Sequence, residues 1–460
     1  MTGAQKGYPE NWSTLTPDEK RTWRLNRFAN GDNVKFVSPQ AQQEYKIRAQ
    51  RIVDAYNIKE PDRVPAMLPL GDIAFNLYGI NNFTAINHPE KAVEACKAFN
   101  AKYAAELEHW ASPLVTAGKA LDILDYKLYA WPGHGLSENA PGIQFIESEY
   151  MKAEEYADLF RDPSDYWLRI YLPRVFGIFD SFKTFAPLTD IIEMPTGQIG
   201  VLANPAVRAT FRKLIEAGEE LEKRSAILGP YLGTGPANGY PTASMAFGLA
   251  PFDIMGDTLR GTTSIMKDMY RRPDDLIRAM DIMADLQIHS IIHGHNIHNT
   301  TTIFFPLHKG ADGWMSQKQF DKFYFPSLKK VVDALINEGL ICTFFAEGAY
   351  NNRLEACNVF PKGSISWIFD QTDMARAKQI VGKNCSIRGN IPSSLMVTGS
   401  AKDVKAYCKK LIETCASGGG YSLAAGCTAE NPKLENLRAM IEASKEYGVY
   451  RTGSPIPSGG

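Results

Sequence analysis

From Thr301 onward the chain alternates short apolar runs with longer amphipathic stretches, and this alternation constrains the fold more than any other feature of its 460 residues. The runs are Thr301 to Leu307, Leu340 to Ala346, Ser364 to Phe369, Ser386 to Arg388 and Gly420 to Ala424. Each is bounded by turn or cap residues and is too short for a buried helix, so each reads as a strand covered on both faces. The intervening stretches carry helix punctuation. Ser316-x-x-Gln319 is a capping box opening a helix that buries Leu328, Val331, Val332, Leu335 and Ile336, and Gly339 ends it. Asp373 caps MARAKQIVG, and Ser400 caps a helix whose inner stripe is Val404, Cys408, Leu411, Ile412 and Cys415. A closing helix carries Leu434, Leu437, Met440 and Ile441. Strand, crossover helix, strand means parallel pairing. No GxGxxG follows the first apolar run, Val64 to Leu70, which disfavours a dinucleotide-binding sheet. The expected fold is α/β, a (β/α)8 TIM barrel.

The expected organisation is a helical N-terminal extension over 1–60, the barrel over 61–450 and a flexible Gly/Pro/Ser tail over 451–460. In the extension, Thr16 precedes Pro17, Asp18 and Glu19, a helix start, and a second helix spans Gln40 to Asn57. Lys and Arg total 50 against 51 Asp and Glu, a net charge of -1, which argues against a nucleic-acid partner. No apolar run approaches a membrane span, and the N-terminus lacks the apolar core of a signal peptide. Seven cysteines without a CxxC pair fit a reducing, cytoplasmic setting.

In a barrel of this kind the active site is built where strands end. The residues just past the strands are His308 and Asp312, Glu347, Asp370, Asn390, then Gly426 and Cys427. Asp370 also suits a helix cap, Asn390 a turn, and Cys427 a small core position. Glu347 is the most pointed of these, because a carboxylate after LICTFFA is costly unless it has work to do. His289 and His293, with His295 and His298 close behind, have metal-ligand spacing. They precede the Thr301 strand, however, which puts them at the opposite end of the barrel. Cys408 and Cys415 read as core. His134, in WPGHG, is accessible by context, but no other group is tied to it.

The stretches NGYPTASMAFG through MKDMYRRPDDLIRAMD, SQKQFDKFYFPSLKKVVDALINEGL, RGNIPSSLMVTGSAKDVKAYCKKLI and GGGYSLAAGC resemble the uroporphyrinogen decarboxylase superfamily, in the right order, over about 60–450. The resemblance implies a (β/α)8 barrel and one of two chemistries: cofactor-free decarboxylation, or zinc-dependent methyl transfer involving a corrinoid. Where the decarboxylases carry an arginine-rich segment this chain reads LPLGDIAFNLYGI, which offers no cation for a polycarboxylate. Arg63 remains, while Arg271 and Arg272 fall on a helix outside the barrel. Thiol-directed methyltransferases of the superfamily carry His-x-Cys and a distant Cys; here the matching positions are Phe345-Ala346-Glu347 and Cys427. The implied zinc ligands are therefore Glu347, Cys427 and His308.

Long members with FAEG-type sequences are similar to the donor-side enzymes of O-demethylase systems. By that resemblance the chain is expected to be a methyltransferase. It would move a methyl group from a small methyl ether, aryl ethers included, or a similar donor to the Co(I) corrinoid of a partner protein. Glu347, Asp370 and His308 are the expected catalytic groups, and Tyr240, Phe247, Asp312, Trp314 and Asn390 the expected substrate-binding ones. A homodimer would suit the family. The alternatives are a decarboxylase or other lyase, and a non-catalytic barrel that docks a corrinoid protein. Donor identity is not legible at this level, because specificity lies in loop geometry.

Overall fold

A computed structural model describes residues 7–188, 199–242, 245–294 and 297–450. The expected tail and His295 lie outside the described residues. Seven strands form one curled parallel sheet: β1 (Ala66–Met67), β2 (Met245–Phe247), β3 (Thr302–Leu307), β4 (Ile341–Ala346), β5 (Ile365–Phe369), β6 (Ser386–Gly389) and β7 (Tyr421–Ala424). Their order is β1-β7-β6-β5-β4-β3-β2, with helices packed outside, a TIM-barrel-like α/β architecture. The caps form as their residues dictate. Ser316 exchanges bonds with Gln319, Asp373 accepts from the N–H groups of Ala375 and Arg376, and Ser400 accepts from Asp403 N–H.

Two expectations need correction. The first strand is two residues, not seven, because Pro65 and Pro69 flank it and neither can donate to a ladder. An eighth strand is missing among the described residues. In the gap between β1 and β2 runs the segment around His109 and Trp110, which shares a cavity with Ala66, Met67, Tyr240 and Pro241. Its backbone groups are already committed: Ala111 N–H and C=O both bond the Asn100 amide, and the Val115 carbonyl accepts from Arg224. Pro113 removes a further donor.

The N-terminal extension closes the bottom of the barrel. Helices α1 (Pro17–Asn30) and α2 (Pro39–Tyr56) pack Leu25, Phe28, Tyr45, Ala49, Val53 and Tyr56 against Ile341, the first residue of β4. Arg24, almost fully buried, donates to the carbonyls of Ile297, Thr300 and Glu338 and ties α1 to the strand starts.

The long excursion between β1 and β2 rims the top. It contains helix α3 (Pro205–Leu232) and a small sheet of Tyr129–Pro132, Gly135–Leu136 and Gln144–Phe145. Gly142, just before that sheet's last strand, sits so close to Glu430 that a Cβ would come within 2.9 Å of its carboxylate. No helix among the described residues is long and apolar enough to cross a membrane.

Candidate active site

Strand register places the mouth residues. Phe305 and Phe344 face outward, meeting each other edge to face, and Phe344 continues onto Phe360 and Trp367. With a period of two, Phe304, Pro306, Thr343, Phe345, Ser366, Ile368, Ser386 and Arg388 then face inward. Two residues beyond the last inward position of each strand stand His308, Glu347, Asp370, Asn390 and Gly426. The five form one ring at the C-terminal mouth.

His308 is the best-anchored member. Its Nδ1 lies 2.6 Å from Asp257 Oδ2, which leaves Nε2 facing Glu347 Oε1 at 3.8 Å. The other oxygen of Asp257 takes the Lys309 ammonium. Beneath this pair lies fully buried Asp253. It accepts from the N–H groups of His308 and Lys309, both at 3.0 Å, and from Tyr324 O–H at 2.6 Å. Tyr324 reaches it from a widened helical turn, Phe320–Tyr324, that precedes Pro326, whose missing N–H breaks the regular ladder.

The charges follow from these contacts. Burial pushes the Asp253 carboxyl up to about 6, and the neighbouring charge of Asp257 adds to it. Asp257 is also desolvated, yet its bonds to His308 and Lys309 hold it below the usual carboxylate range. For His308, burial opposes protonation; the Asp257 bond and the carboxylates of Asp253, Asp257 and Glu347 outweigh it and raise its pKa. Burial raises Glu347, with Asp257 and Asp370 reinforcing the effect against His308 and Lys309. The result is a carboxyl shifted toward its protonated form, with a histidine held toward its charged form beside it. Such pairs are what general acid catalysis uses.

The remaining expected residues divide. Asp370 accepts from Gly348 N–H at 3.2 Å, and the absence of a side chain at Gly426 lets that loop lie against it, since a Cβ would fall 3.0 Å from Asp370 Oδ1. Asn390 donates to the carbonyls of Asp370 and Thr372, fastening two mouth loops. Phe247 stands at the end of β2 with its ring 6.0 Å from Phe304.

Three expected substrate contacts are made elsewhere. Tyr240 lies at the open gap beside the barrel's N-terminal end, against Trp110 and under the Arg48 guanidinium. Asp312 accepts from Asn352 N–H close to buried Arg353, and so serves the loop itself. Trp314 packs edge to face on Phe252 in the core wall. His134 stacks on Trp131 and pairs with Asp122, and His289 and His293 lie on the exposed face of helix α4 (Pro273–Gly294).

The residues do not fit the implied zinc set. Cys427 lies against the Ser393 hydroxyl at 3.3 Å, and among the described residues no three His, Cys, Asp or Glu side chains are placed to hold a metal. Nor does the mouth suit a polycarboxylate. Arg63 is at the far end of the barrel, paired with Glu108, and Arg272 pairs with Asp275 on the outside. Sequence reasoning missed Asp253, Asp257, Lys309 and Tyr324. The available signal was Asp253-x-x-x-Asp257, two carboxylates one helical turn apart just past β2.

The profile of the uroporphyrinogen decarboxylase (URO-D) family matches residues 192–447, more than half of the chain. The chain belongs to the URO-D family. Among solved structures, a methyltransferase from Methanosarcina mazei is similar in fold. The two share 16% identity at a TM-score of 0.54, covering 87% of this chain and 98% of that one. No curated protein matches. In this URO-D family member, then, the mouth carries an Asp257–His308–Glu347 series rather than a cluster of arginines.

Proposed function

We propose that this protein transfers a methyl group from the oxygen of a small methyl ether to a corrinoid carried by a partner protein. Glu347 and His308 handle the proton. Family membership supports an enzyme built on this barrel. The observation that carries the reading is the Glu347 carboxyl at the mouth, raised toward protonation and facing the Nε2 of a histidine whose Nδ1 is held by Asp257.

An alkoxide or phenolate is a poor leaving group, so the ether oxygen needs a proton as the carbon–oxygen bond breaks. A corrinoid presented by the partner would supply the electron pair for the new bond to the methyl carbon. The old bond pair stays on the oxygen, which takes a proton from Glu347. His308 then returns a proton to Glu347 and is itself recharged from solvent. Asp257 fixes the imidazole through this exchange, and Asp253 fixes the backbone beneath it.

Glu347→Gln keeps the shape and removes the acid. Methyl transfer, followed by the loss of the Co(I) absorbance, should fall by about 10²–10⁴-fold, the usual share of a general acid. Circular dichroism should stay unchanged. Turnover equal to wild type would overturn the assignment.

A further inference from the structure

Below the mouth, the inner surface of the barrel holds one charged side chain that the proton-handling groups do not use. Arg388, on β6, shares a narrow space above α2 with Ser366, Ser386, Ser422, Met67 and Tyr56. Among the described residues its Nη2 meets only the Thr343 hydroxyl, at 3.5 Å, and its buried Nε has no hydrogen-bond partner. No carboxylate lies within ion-pair reach of it among the described residues. Every other residue that the seven strands turn inward, from Met245 round to Ala424, is uncharged. Arg388 is half-buried with its Nε out of solvent, and an anion that takes its fork supplies the acceptors it lacks.

The space above it has an aromatic wall. Phe247, Phe304 and Phe345 follow one another with 6.0 Å between ring centroids. Phe247 is 60% exposed and Met245 57%, although both sit on the inner face of the sheet, so this chamber is open rather than filled. Four residue steps along β4 and just past its end separate Thr343, where Arg388 ends, from Glu347, about 13 Å. A charge-assisted hydrogen bond of about 2.8 Å at each end leaves about 7 Å for the molecule between them. That length suits one six-membered ring with an anionic group on one side and an ether oxygen on the other.

From this we infer that Arg388 is a specificity-determining residue that seats the carboxylate of a small aromatic substrate at the floor of the barrel. The inference rests on the proposed function only for which end of the substrate reacts; the anion seat stands by itself. The ring lies along Phe304 and Phe345, and the far end of the molecule reaches Glu347.

The test is titration calorimetry of the full chain with benzoate, and with benzamide as its uncharged counterpart. Benzoate should bind wild type and bind Arg388→Met at least tenfold more weakly. Benzamide should bind both proteins weakly and equally. Equal benzoate affinity in wild type and Arg388→Met, benzamide binding as tight as benzoate, or no benzoate binding to wild type would each overturn the assignment. Should Arg388→Met fail a circular-dichroism check, Arg388→Lys gives the same reading: weaker benzoate binding supports the bidentate seat, and equal binding overturns it. If benzoate binding depends on Arg388 while methyl transfer is never observed, the methyl-transfer reading falls and the anion seat remains. If Glu347→Gln abolishes transfer while benzoate ignores Arg388, the reverse holds.

Discussion

Asp253→Asn tests the foundation of the mouth. The wild-type carboxylate is inaccessible to solvent and accepts three hydrogen bonds, from His308 N–H, Lys309 N–H and Tyr324 O–H. Asparagine offers one acceptor oxygen, which can keep the bonds from His308 and Tyr324, and turns its amide toward Lys309 N–H. Leaving that buried donor unpaired costs about 1–3 kcal/mol. A second effect depends on pH. The carboxyl titrates at about 6 in the folded protein against an ordinary 3.8. Its folded pKa is raised, so its contribution to stability is complete below 3.8 and is lost as pH climbs through 6. Between pH 8 and pH 5 that linkage amounts to about 1.4 kcal/mol, which wild type has and the variant lacks. His308, whose protonation Asp253 also favours, works in the same direction, so the figure is a lower bound. Urea unfolding of both proteins at several values between pH 5 and pH 8 reads the difference. The destabilisation caused by Asp253→Asn should grow by at least this amount on acidification. Difference infrared spectra should show a protonated-carboxyl band with a midpoint near 6 in wild type and none from this position in the variant. A pH-independent difference in stability, or a midpoint near 4, would refute the account of Asp253 as a buried, charge-crowded acid.

Other outcomes follow from the same contacts. Because Asp257 raises the His308 pKa, the stability that protonated His308 contributes is present below 6.5 and lost as pH rises through its raised folded value. Asp257→Asn should lower that upper limit and move the basic limb of the activity profile to lower pH, and an unmoved limb would contradict the pairing. Arg353 is buried and donates to the carbonyls of Gly310, Ala311 and Met315 and to Gln317. Arg353→Lys, with three donors for these four acceptors, leaves at least one unpaired and should destabilise by about 1–3 kcal/mol or more in urea unfolding. Cys427→Ala should leave metal content, measured by mass spectrometry beside wild type, unchanged, since among the described residues its thiol hydrogen-bonds only Ser393. A fall in bound zinc would show that the thiol is a ligand after all.

The C-terminal half of the barrel was legible from residue order because its signals are local. Ser316, Asp373 and Ser400 cap helices through bonds to neighbours within three residues, and five apolar runs form strands within a residue or so of their expected ends. The ring His308, Glu347, Asp370, Asn390, Gly426 was legible for a related reason: a period of two fixes which way a residue points once its strand is known. The N-terminal half was not legible. Val64 to Leu70 has a strand's composition, but Pro65 and Pro69 cut its ladder to two residues. The segment past His109 lost its ladder groups to Asn100, which comes from a helix earlier in the chain, and to Arg224 from α3.

What the sequence determined by itself was the α/β class and which residues stand just past the strand ends. These rest on hydrogen bonds and side-chain directions spanning a few residues. Only the tertiary structure decided which mouth residues cooperate. Asp257 meets His308 across 51 positions of chain, Tyr324 reaches Asp253 across 71, and Cys427 lies against Ser393 across 34. It alone also left Arg388 without a counter-ion among the described residues. The physical reason is that a charge takes its state from whatever is packed around it, and closing a sheet into a barrel brings together groups that no local pattern connects.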